Sequence, residues 1–186
     1  MEDSQIVQLY WDRDERAIPA TAEVYGDYCF MIAHNILQSV QDAEECVNDT
    51  WLHTWRAIPP QRPSRLAAFL GKITRNLALH VFRRDRALKR GGSELDLAYE
   101  ELSECIPGAE PVEQTVDARE LAAALNEFLA GLSTKKRRIF VRRYWYADSI
   151  SQIAARMDMT ESSVSVTLHR LRAALRSFLA ERGFIV

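Results

Sequence analysis

The side chains of residues 160–170 have the types and spacing that contact with a nucleic acid requires. Thr160 fits the N-cap of a helix, because its hydroxyl can accept a hydrogen bond from an amide of the first turn. Apolar residues then recur at helical spacing and would face the protein: Val164, Leu168, Leu171 and Leu175. The side chains left for solvent or a DNA groove are Glu161, Ser162, Ser163, Ser165, Val166, Thr167, His169 and Arg170. Hydroxyl and guanidinium groups at the start of a helix can reach base edges and phosphates in the major groove.

A second, shorter helix should precede this one across a tight turn. Ser149 is followed three residues later by Gln152, as in a capping box, and Asp158 and Met159 occupy the turn. Together the two helices predict a helix-turn-helix. The basic stretch "TKKRR" at 134–138 supports this interpretation, because it can bind the phosphate backbone. A plain helical hairpin with a solvated face remains the alternative, since short helix pairs are common.

The net charge of −2 conceals four alternating blocks. Residues 1–49 hold eleven acids and two bases, and residues 62–90 hold nine bases and one acid. Residues 91–127 hold ten acids and one base, and residues 128–186 hold eleven bases and four acids. The distribution of charge therefore says more about a polyanionic partner than the mean does.

The upstream basic block belongs to a helix that we expect to begin after Ser64, its N-cap, and to end at the glycine pair 91–92. Its apolar stripe is formed by Leu66, Leu70, Ile73 and Leu77, with Phe69 beside it. The proline-rich stretch "IPPQRPS" (58–64) separates this helix from the one before, because proline removes a backbone donor and fixes φ.

Two further helices are expected upstream of the prolines. The first runs from about Thr21 to Gln38, with apolar residues spaced by four at Val24, Tyr28, Ile32 and Ile36. The second begins at Asp42, which together with Glu45 has the spacing of a capping box. The residues expected on its buried side are Val47, Trp51 and Trp55.

Residues 93–116 are acidic, hold two prolines and show weak periodicity, so we interpret them as a linker with one short helical piece. A helix should then run from Asp117 to Gly131, and Ser133 should cap the next. No segment shows the strict alternation of a surface strand. The sequence predicts an all-α protein made of two small helical domains.

Several classes of protein are disfavoured by the sequence. The acidic N-terminus is unlike a secretory signal, and no apolar run is long enough to span a membrane, so we expect a soluble, cytoplasmic protein. Three cysteines without a CxxC pair favour reduced thiols over disulfides or a zinc site. No glycine-rich nucleotide loop and no arrangement typical of a catalytic triad is present. We therefore expect a protein that is not an enzyme and carries no cofactor or metal.

Three ordered motifs resemble the extracytoplasmic-function (ECF) sigma factors, small promoter-recognition subunits of bacterial RNA polymerase. "DAEECVNDTWLHTWRAIP" (42–59) is similar to the signature of their region two, and "FLGKITRNLALHVFRR" (69–84) to the helix after it. "LSTKKRRIFVRRYWYADSISQIAARMDMTESSVSVTLHRLRAAL" (132–175) is similar to their region four. The resemblance covers nearly the whole chain.

The resemblance implies a region-two domain at 1–92, an acidic linker at 93–116 and a region-four domain at 117–186. Region two of this family binds core RNA polymerase and opens the minus-ten element of promoter DNA, and region four reads the minus-thirty-five element. The linker would occupy a basic channel of the polymerase until RNA displaces it. The implied partners are core polymerase, promoter DNA and an anti-sigma factor, with no membrane.

Site residues follow from the resemblance, position by position. The polymerase-binding set is Glu45, Asn48, Asp49, Thr50 and Leu52. The minus-ten set is Arg75, Asn76, Leu79, His80, Arg83 and Arg84. The minus-thirty-five set is Thr160 together with the eight outward-facing residues of 161–170 named above. Trp51 and Trp55 are expected in the core.

The chain departs from the family at the second helix of the helix-turn-helix. After Val164 the family usually places basic residues, and here Ser165, Val166 and Thr167 stand in their place. Fewer phosphate contacts predict weaker binding of the upstream element or an unusual sequence preference. The rival interpretation is a stand-alone helix-turn-helix regulator that binds an operator as a dimer. Such a regulator would not need the basic helix at 69–84.

Overall fold

The computed structural model of the protein describes residues 1–86, 94–103 and 116–184, which form nine α-helices and no strand. They fall into two compact units, Met1–Gly91 and Gly92–Val186. The all-α prediction with two helical domains is therefore confirmed. None of the described helices is both long and apolar enough to cross a lipid bilayer.

The first unit consists of α1 (Asp3–Trp11), α2 (Ala17–Leu37), α3 (Val40–Ala57) and α4 (Leu66–Arg86). Helices α2, α3 and α4 pack against one another, and α1 packs on α2. The apolar periodicity predicted the last three helices, but α1 was not anticipated. Its apolar face is fully buried through Ile6 and Tyr10, whose ring lies edge-on to Trp55.

Asp3 joins three helices of this unit. Its carboxylate accepts hydrogen bonds from the Tyr25 hydroxyl of α2 and from the Leu66 amide of α4, the latter at 3.1 Å. The start of α4 is thus capped by a carboxylate of α1, a favourable partner for a helix N-terminus, whereas Ser64 was the expected cap. Burial, reinforced by the hydrogen bond to Asp3, raises the pKa of Tyr25 to about 12.

The N-cap of α3 lies three residues before the predicted N-cap, Asp42. Ser39 has the extended backbone of an N-cap, and its hydroxyl accepts the Asp42 amide at 3.3 Å. Asp42 therefore lies in the first turn, where its charge still complements the helix dipole. Glu45 lies within the helix and is exposed, so the predicted capping box between these two residues was wrong.

The second unit holds α5 (Glu94–Ser103), α6 (Val116–Gly131), α7 (Thr134–Tyr144), α8 (Ile150–Met157) and α9 (Glu161–Glu181). Helix α5 lies inside the expected linker and packs against α7, so this part of the segment is a packed element of the second unit. The rest of the expected linker, 104–115, and the glycine pair 91–92 lie outside the described residues. Helix α6 begins one residue before Asp117, the expected start.

The helix-turn-helix of α8 and α9 is formed as predicted. Ser149 and Gln152 make the reciprocal capping box, at 3.2 and 2.8 Å. Asp158 ends α8 in the left-handed conformation with φ of 51°, and the Thr160 hydroxyl accepts the Ser163 amide at 3.2 Å. Ser133 stands at the N-cap of α7, but its hydroxyl makes no capping hydrogen bond.

The predicted apolar stripe of α9 is confirmed: Val164, Leu168, Leu171 and Leu175 are all at most 3% exposed. Val164 and Leu168 pack with Ile139 and Ile153 of α7 and α8. The stripe holds α9 in one rotational position, because any other rotation would expose it. The polar side chains at the front of α9 are consequently turned away from the core.

We predict that Leu168→Ala lowers the free energy of unfolding of the second unit by about 2–5 kcal/mol, since a large side chain leaves a packed core. Val166→Ala, on the exposed side of the same helix, should change it by no more than about 0.5 kcal/mol. Urea unfolding followed by circular dichroism measures both. Equal effects of the two variants would contradict the orientation of α9.

Candidate protein and nucleic-acid interfaces

The outer side of α3 presents an acidic face, defined here as Glu45, Asn48, Asp49 and Leu52. These residues follow helical spacing, so they share one side of the helix, and all four are exposed. Leu52 is 44% exposed and places an apolar group among the polar ones. An acidic surface with an apolar contact suits a basic protein partner rather than a nucleic acid.

Thr50, the fifth residue predicted to bind polymerase, does not belong to the acidic face. It is fully buried, and its hydroxyl bonds to the Cys46 carbonyl at 2.8 Å and to the Thr74 hydroxyl at 3.1 Å. Thr54 and Thr74 are buried in the same manner and donate to carbonyls four residues earlier. Each of the three hydroxyls is satisfied by a carbonyl of its own helix, and those of Thr50 and Thr74 meet between α3 and α4, so Thr50 is part of the core.

The predicted strand-reading side chains of α4 are mostly at the surface. Asn76, His80, Arg83 and Arg84 are exposed, whereas Leu79 is half-buried. The stripe facing the core is Leu66, Leu70, Thr74 and Ala78, all fully buried, and the predicted members Ile73 and Leu77 are half-buried at its edge.

Arg75 is half-buried on α4, so it is placed less openly than the other predicted base readers. Burial lowers the pKa of Arg75 to about 10, which leaves the guanidinium charged at neutral pH. The side chain therefore contributes positive charge to this side of α4, although only part of it is open to solvent.

A cleft of about 230 Å³ lies between α3 and α4 beside Asn76. Its lining includes the aromatic ring of Phe69, the amide of Gln61, the amine of Lys72 and the imidazole of His53. An aromatic surface flanked by hydrogen-bonding groups can stack an unpaired base and bind its edge. We did not predict these four residues as site residues. Phe69 and Lys72 could have been found, because residues seven and four positions before Asn76 lie on the same side of the helix.

Trp55 is half-buried and is in contact with two side chains from the start of the chain. Tyr10 meets its ring edge-on at a centroid distance of 6.0 Å, and the Arg13 guanidinium lies 5.3 Å from the ring centroid. Arg13 also donates to the Trp55 carbonyl at 2.6 Å. These contacts fix the indole against α1, and Trp51 is 7% exposed, so both tryptophans belong to the packing of the first unit.

All nine residues predicted to contact the upstream element lie along the front of α9 or at its cap. Eight of them are exposed, and Thr167 is half-buried, with its hydroxyl donating to the Ser163 carbonyl at 2.7 Å. Val166 is 46% exposed at the centre of this surface. The surface is thus mainly uncharged, and Arg170 supplies the guanidinium at its far end.

In the basic stretch "TKKRR" (134–138), one arginine stabilises the fold and the other three basic residues are exposed. Arg137 donates to the carbonyls of Ala130 and Leu132 at 2.9 and 3.0 Å, so it holds the end of α6. Lys135, Lys136 and Arg138 are exposed. Their amines and guanidinium can approach a phosphate backbone without disturbing the fold.

Cys29 and Cys46 are buried free thiols of the first unit. Burial raises their pKa values to about 11 and about 12, so both stay protonated at neutral pH and are poor metal ligands. Across residues 1–86, 94–103 and 116–184, histidine, cysteine and carboxylate side chains form no cluster of three or more that suits a metal ion.

Two family models match the chain, one for each unit. The model described as Sigma-70 region 2 matches residues 23–88, and the model described as Sigma-70, region 4 matches residues 122–175. The two matches correspond to two regions of one family, and each lies within one of the two helical units. The chain belongs to the sigma-70 family of RNA polymerase sigma factors.

Two curated relatives of this chain are named as sigma factors. A protein of Xanthomonas campestris pv. campestris named probable RNA polymerase sigma factor RfaY is 29% identical over 152 residues, covering 81% of this chain and 37% of that protein. The ECF RNA polymerase sigma factor SigE of Mycolicibacterium smegmatis is 26% identical over 174 residues, covering 91% of this chain and 65% of that protein. The chain thus spans between about a third and two thirds of these relatives' lengths.

A solved structure, titled as CnrH in complex with the cytosolic domain of CnrY, is also similar to this chain. It is 20% identical, with 96% of this chain and 97% of that chain covered and a TM-score of 0.44.

Proposed function

We propose that this protein binds core RNA polymerase and directs it to specific promoters. The observation that carries the proposal is the pairing, within the first unit, of the acidic face of α3 with the polar, basic outer side of α4. The acidic face of α3 suits a protein partner, and the outer side of α4 suits a nucleic acid. A stand-alone regulator, the rival candidate, has no use for this pairing in a unit separate from its helix-turn-helix.

Transcription from a cognate promoter by core polymerase, with and without the purified protein, tests the proposal. The protein should be required for specific initiation and should bind the promoter tightly only together with polymerase. Tight, specific binding of the protein alone to an operator, with no effect on initiation by core polymerase, would favour the stand-alone regulator.

The acidic face of α3 is the surface we assign to polymerase. Its charge is exposed, so the attraction to a basic partner is felt before contact and assists association. Leu52 supports the assignment, because an exposed apolar side chain beside the polar ones is stabilised when a partner covers it. Thr50 is excluded from this surface by its burial.

The cleft beside Asn76 supports a role for α4 in reading an unpaired strand. Within a duplex, the bases are stacked and their Watson–Crick edges are occupied, so an amide can bond to such an edge only after strand separation. Phe69 offers a ring for stacking and Lys72 a charge for a phosphate. We therefore assign the minus-ten element to this side of the first unit.

The front of α9 supports recognition of the upstream element in a major groove. Its hydroxyl groups can contact bases or phosphates, and Val166 can contact a thymine methyl group. Because Ser165, Val166 and Thr167 carry no charge, we propose that binding here depends strongly on Arg170 and has a shallow salt dependence.

We predict that Glu45→Lys together with Asp49→Lys weakens binding to core polymerase, because both changes reverse charge on the acidic face. A fluorescence titration with labelled protein measures the affinity. Glu15→Lys with Glu23→Lys, at exposed positions on another part of the same unit, reverses the same charge and should have a smaller effect. Equal losses in the two double variants would remove the acidic face from the polymerase contact.

Asn76→Ala should leave polymerase binding intact and impair promoter opening, because the amide is used only on the separated strand. The loss of a bidentate base contact costs about 1–3 kcal/mol. Permanganate footprinting reports unpaired thymines in the open complex. Gln41→Ala deletes an exposed amide at the start of α3 and serves as the matched control. Normal opening with Asn76→Ala would rule out this residue as a base reader.

Two substitutions on α9 should act in opposite directions on binding of the upstream element. Arg170→Ala should cost about 1–3 kcal/mol and relax the sequence preference. Thr167→Arg should tighten binding and steepen the salt dependence by about one unit, since it adds a phosphate contact. Affinity measured against salt concentration with the full chain and a promoter duplex tests both.

Ala180→Arg provides the control for added charge, because it lies about 20 Å further along the exposed side of α9. It should leave the slope nearly unchanged. If Thr167→Arg behaves like this control, position 167 does not face DNA.

A further inference from the structure

The corner that joins α7 to α8, residues 145–149, contains a buried carboxylate. Asp148 is fully buried, whereas most acidic side chains of the protein are at the surface. A carboxylate is costly to bury unless cations and hydrogen-bond donors surround it. The groups that face Asp148 therefore show which parts of the second unit this side chain holds together.

The side chain of Asp148 meets one arginine from each of the two helices. Arg142, in the last turn of α7, donates to its Oδ2 atom at 2.6 Å. The guanidinium of Arg156, in the last turn of α8, lies 3.9 Å from the same oxygen. The first contact is a charge-assisted hydrogen bond, which is stronger than a bond between neutral groups, and the second is a longer ion pair. Asp148 thus ties the ends of α7 and α8 to one point.

The backbone of Asp148 also holds the corner against α7. Its amide donates to the Arg142 carbonyl at 3.0 Å, and its carbonyl accepts a hydrogen bond from the Arg143 guanidinium at 3.2 Å. Ala147, directly before it, has a φ of 54°, a left-handed conformation that alanine seldom adopts. Such a conformation persists only where the surroundings fix it. The contacts of Asp148 therefore hold the corner in one conformation.

The corner determines where the helix-turn-helix lies on α7. Ser149, the residue after Asp148, is the N-cap of α8, so a change at the corner moves the start of the first helix of the pair. Phosphate contacts set the register of a protein on a duplex, and base contacts read the sequence. In this unit the exposed amines of Lys135 and Lys136 belong to α7, whereas the hydroxyl-rich front belongs to α9. A fixed corner keeps these two kinds of contact in register.

The same carboxylate lowers the positive charge that this part of the unit offers to an anion. Arg142 lines a cleft of about 260 Å³ together with Arg137, Arg138 and Tyr146. The side chains of Arg142 and Arg156 are 23% and 45% exposed, so both could turn toward a phosphate if the carboxylate did not hold them. An arginine freed in this way would add affinity for DNA of any sequence, because phosphates carry no sequence information.

We propose that Asp148 is a positioning residue for recognition of the upstream element. It holds α8 and α9 in the register that base reading needs, and it withholds Arg142 and Arg156 from non-specific phosphate contacts. The inference rests on the proposed recognition of this element by the front of α9. Asp148 is itself buried, so it acts through helix placement and through the two arginines. Removing its charge must therefore lower sequence discrimination more than it lowers total affinity for DNA.

The test compares two duplexes, a promoter fragment and the same fragment with its upstream element scrambled, by fluorescence anisotropy with the full chain. Asp148→Asn keeps the size of the side chain and an acceptor oxygen but removes the charge. It should reduce the ratio of the two affinities by about tenfold, the order of one lost base contact. Its affinity for the scrambled duplex should stay equal or rise, and the salt dependence should steepen by about one unit for each arginine that reaches a phosphate.

Asp158→Asn is the matched control, because it removes the same charge at the exposed end of α8, where asparagine also tolerates the left-handed conformation. Its affinity ratio should equal that of wild type. If Asp148→Asn lowers both affinities by the same factor, or leaves the ratio unchanged, the inference is overturned. A wild type that binds both duplexes equally would instead contradict recognition of the upstream element, and with it the inference.

Thermal unfolding of the full chain, followed by circular dichroism, tests the contact without DNA and confirms that each variant is folded. Arg142→Gln takes the closer of the two cations away from the buried carboxylate and should lower the unfolding temperature by about 10 °C. Adding Asp148→Asn removes the charge that has lost its partner and should restore about half of that loss or more. If the second change restores nothing, the two side chains are not coupled, and the inference is overturned whether or not the protein binds DNA.

Discussion

Three helices, α3, α4 and α9, each bury one stripe of side chains against their own unit, and this burial decides which residues remain for partners. The stripe on α9 is apolar, through Leu168 and Leu175, and turns the hydroxyl-rich front outward. The stripes on α3 and α4 meet through the hydroxyls of Thr50 and Thr74. The outer side of α3 is acidic, and the outer side of α4 is polar and basic.

The same packing leaves some acidic side chains exposed and pairs others with arginines. The acids Glu45 and Asp49 of α3 remain at the surface, whereas Glu94 and Glu101 of α5 form ion pairs with Arg143 and Arg172. The acidic composition of residues 91–127 is therefore not simply a solvated charge. Part of it neutralises a buried cation of the helix-turn-helix unit, which explains how an arginine tolerates 1% exposure.

The helix-turn-helix shows how capping and packing divide their roles. Ser149, Gln152 and Thr160 satisfy amides at the starts of α8 and α9, and Asp158 supplies the left-handed residue between them. These groups set where the helices begin and end. Their rotation is set instead by the buried stripe, so Leu168 and its neighbours decide which polar residues of α9 are exposed.

The sequence by itself determined the helical class, the helix-turn-helix and the residues along its front, because caps, turns and apolar periodicity act within a few residues of one another. Tertiary structure decided the rest. The burial of Thr50 depends on Thr74, and the capping of Leu66 depends on Asp3, 63 residues away. The docking of α5 depends on Arg143, 42 residues after Glu101. Such contacts form only when distant helices pack against one another, so the local periodicity of the sequence does not reveal them.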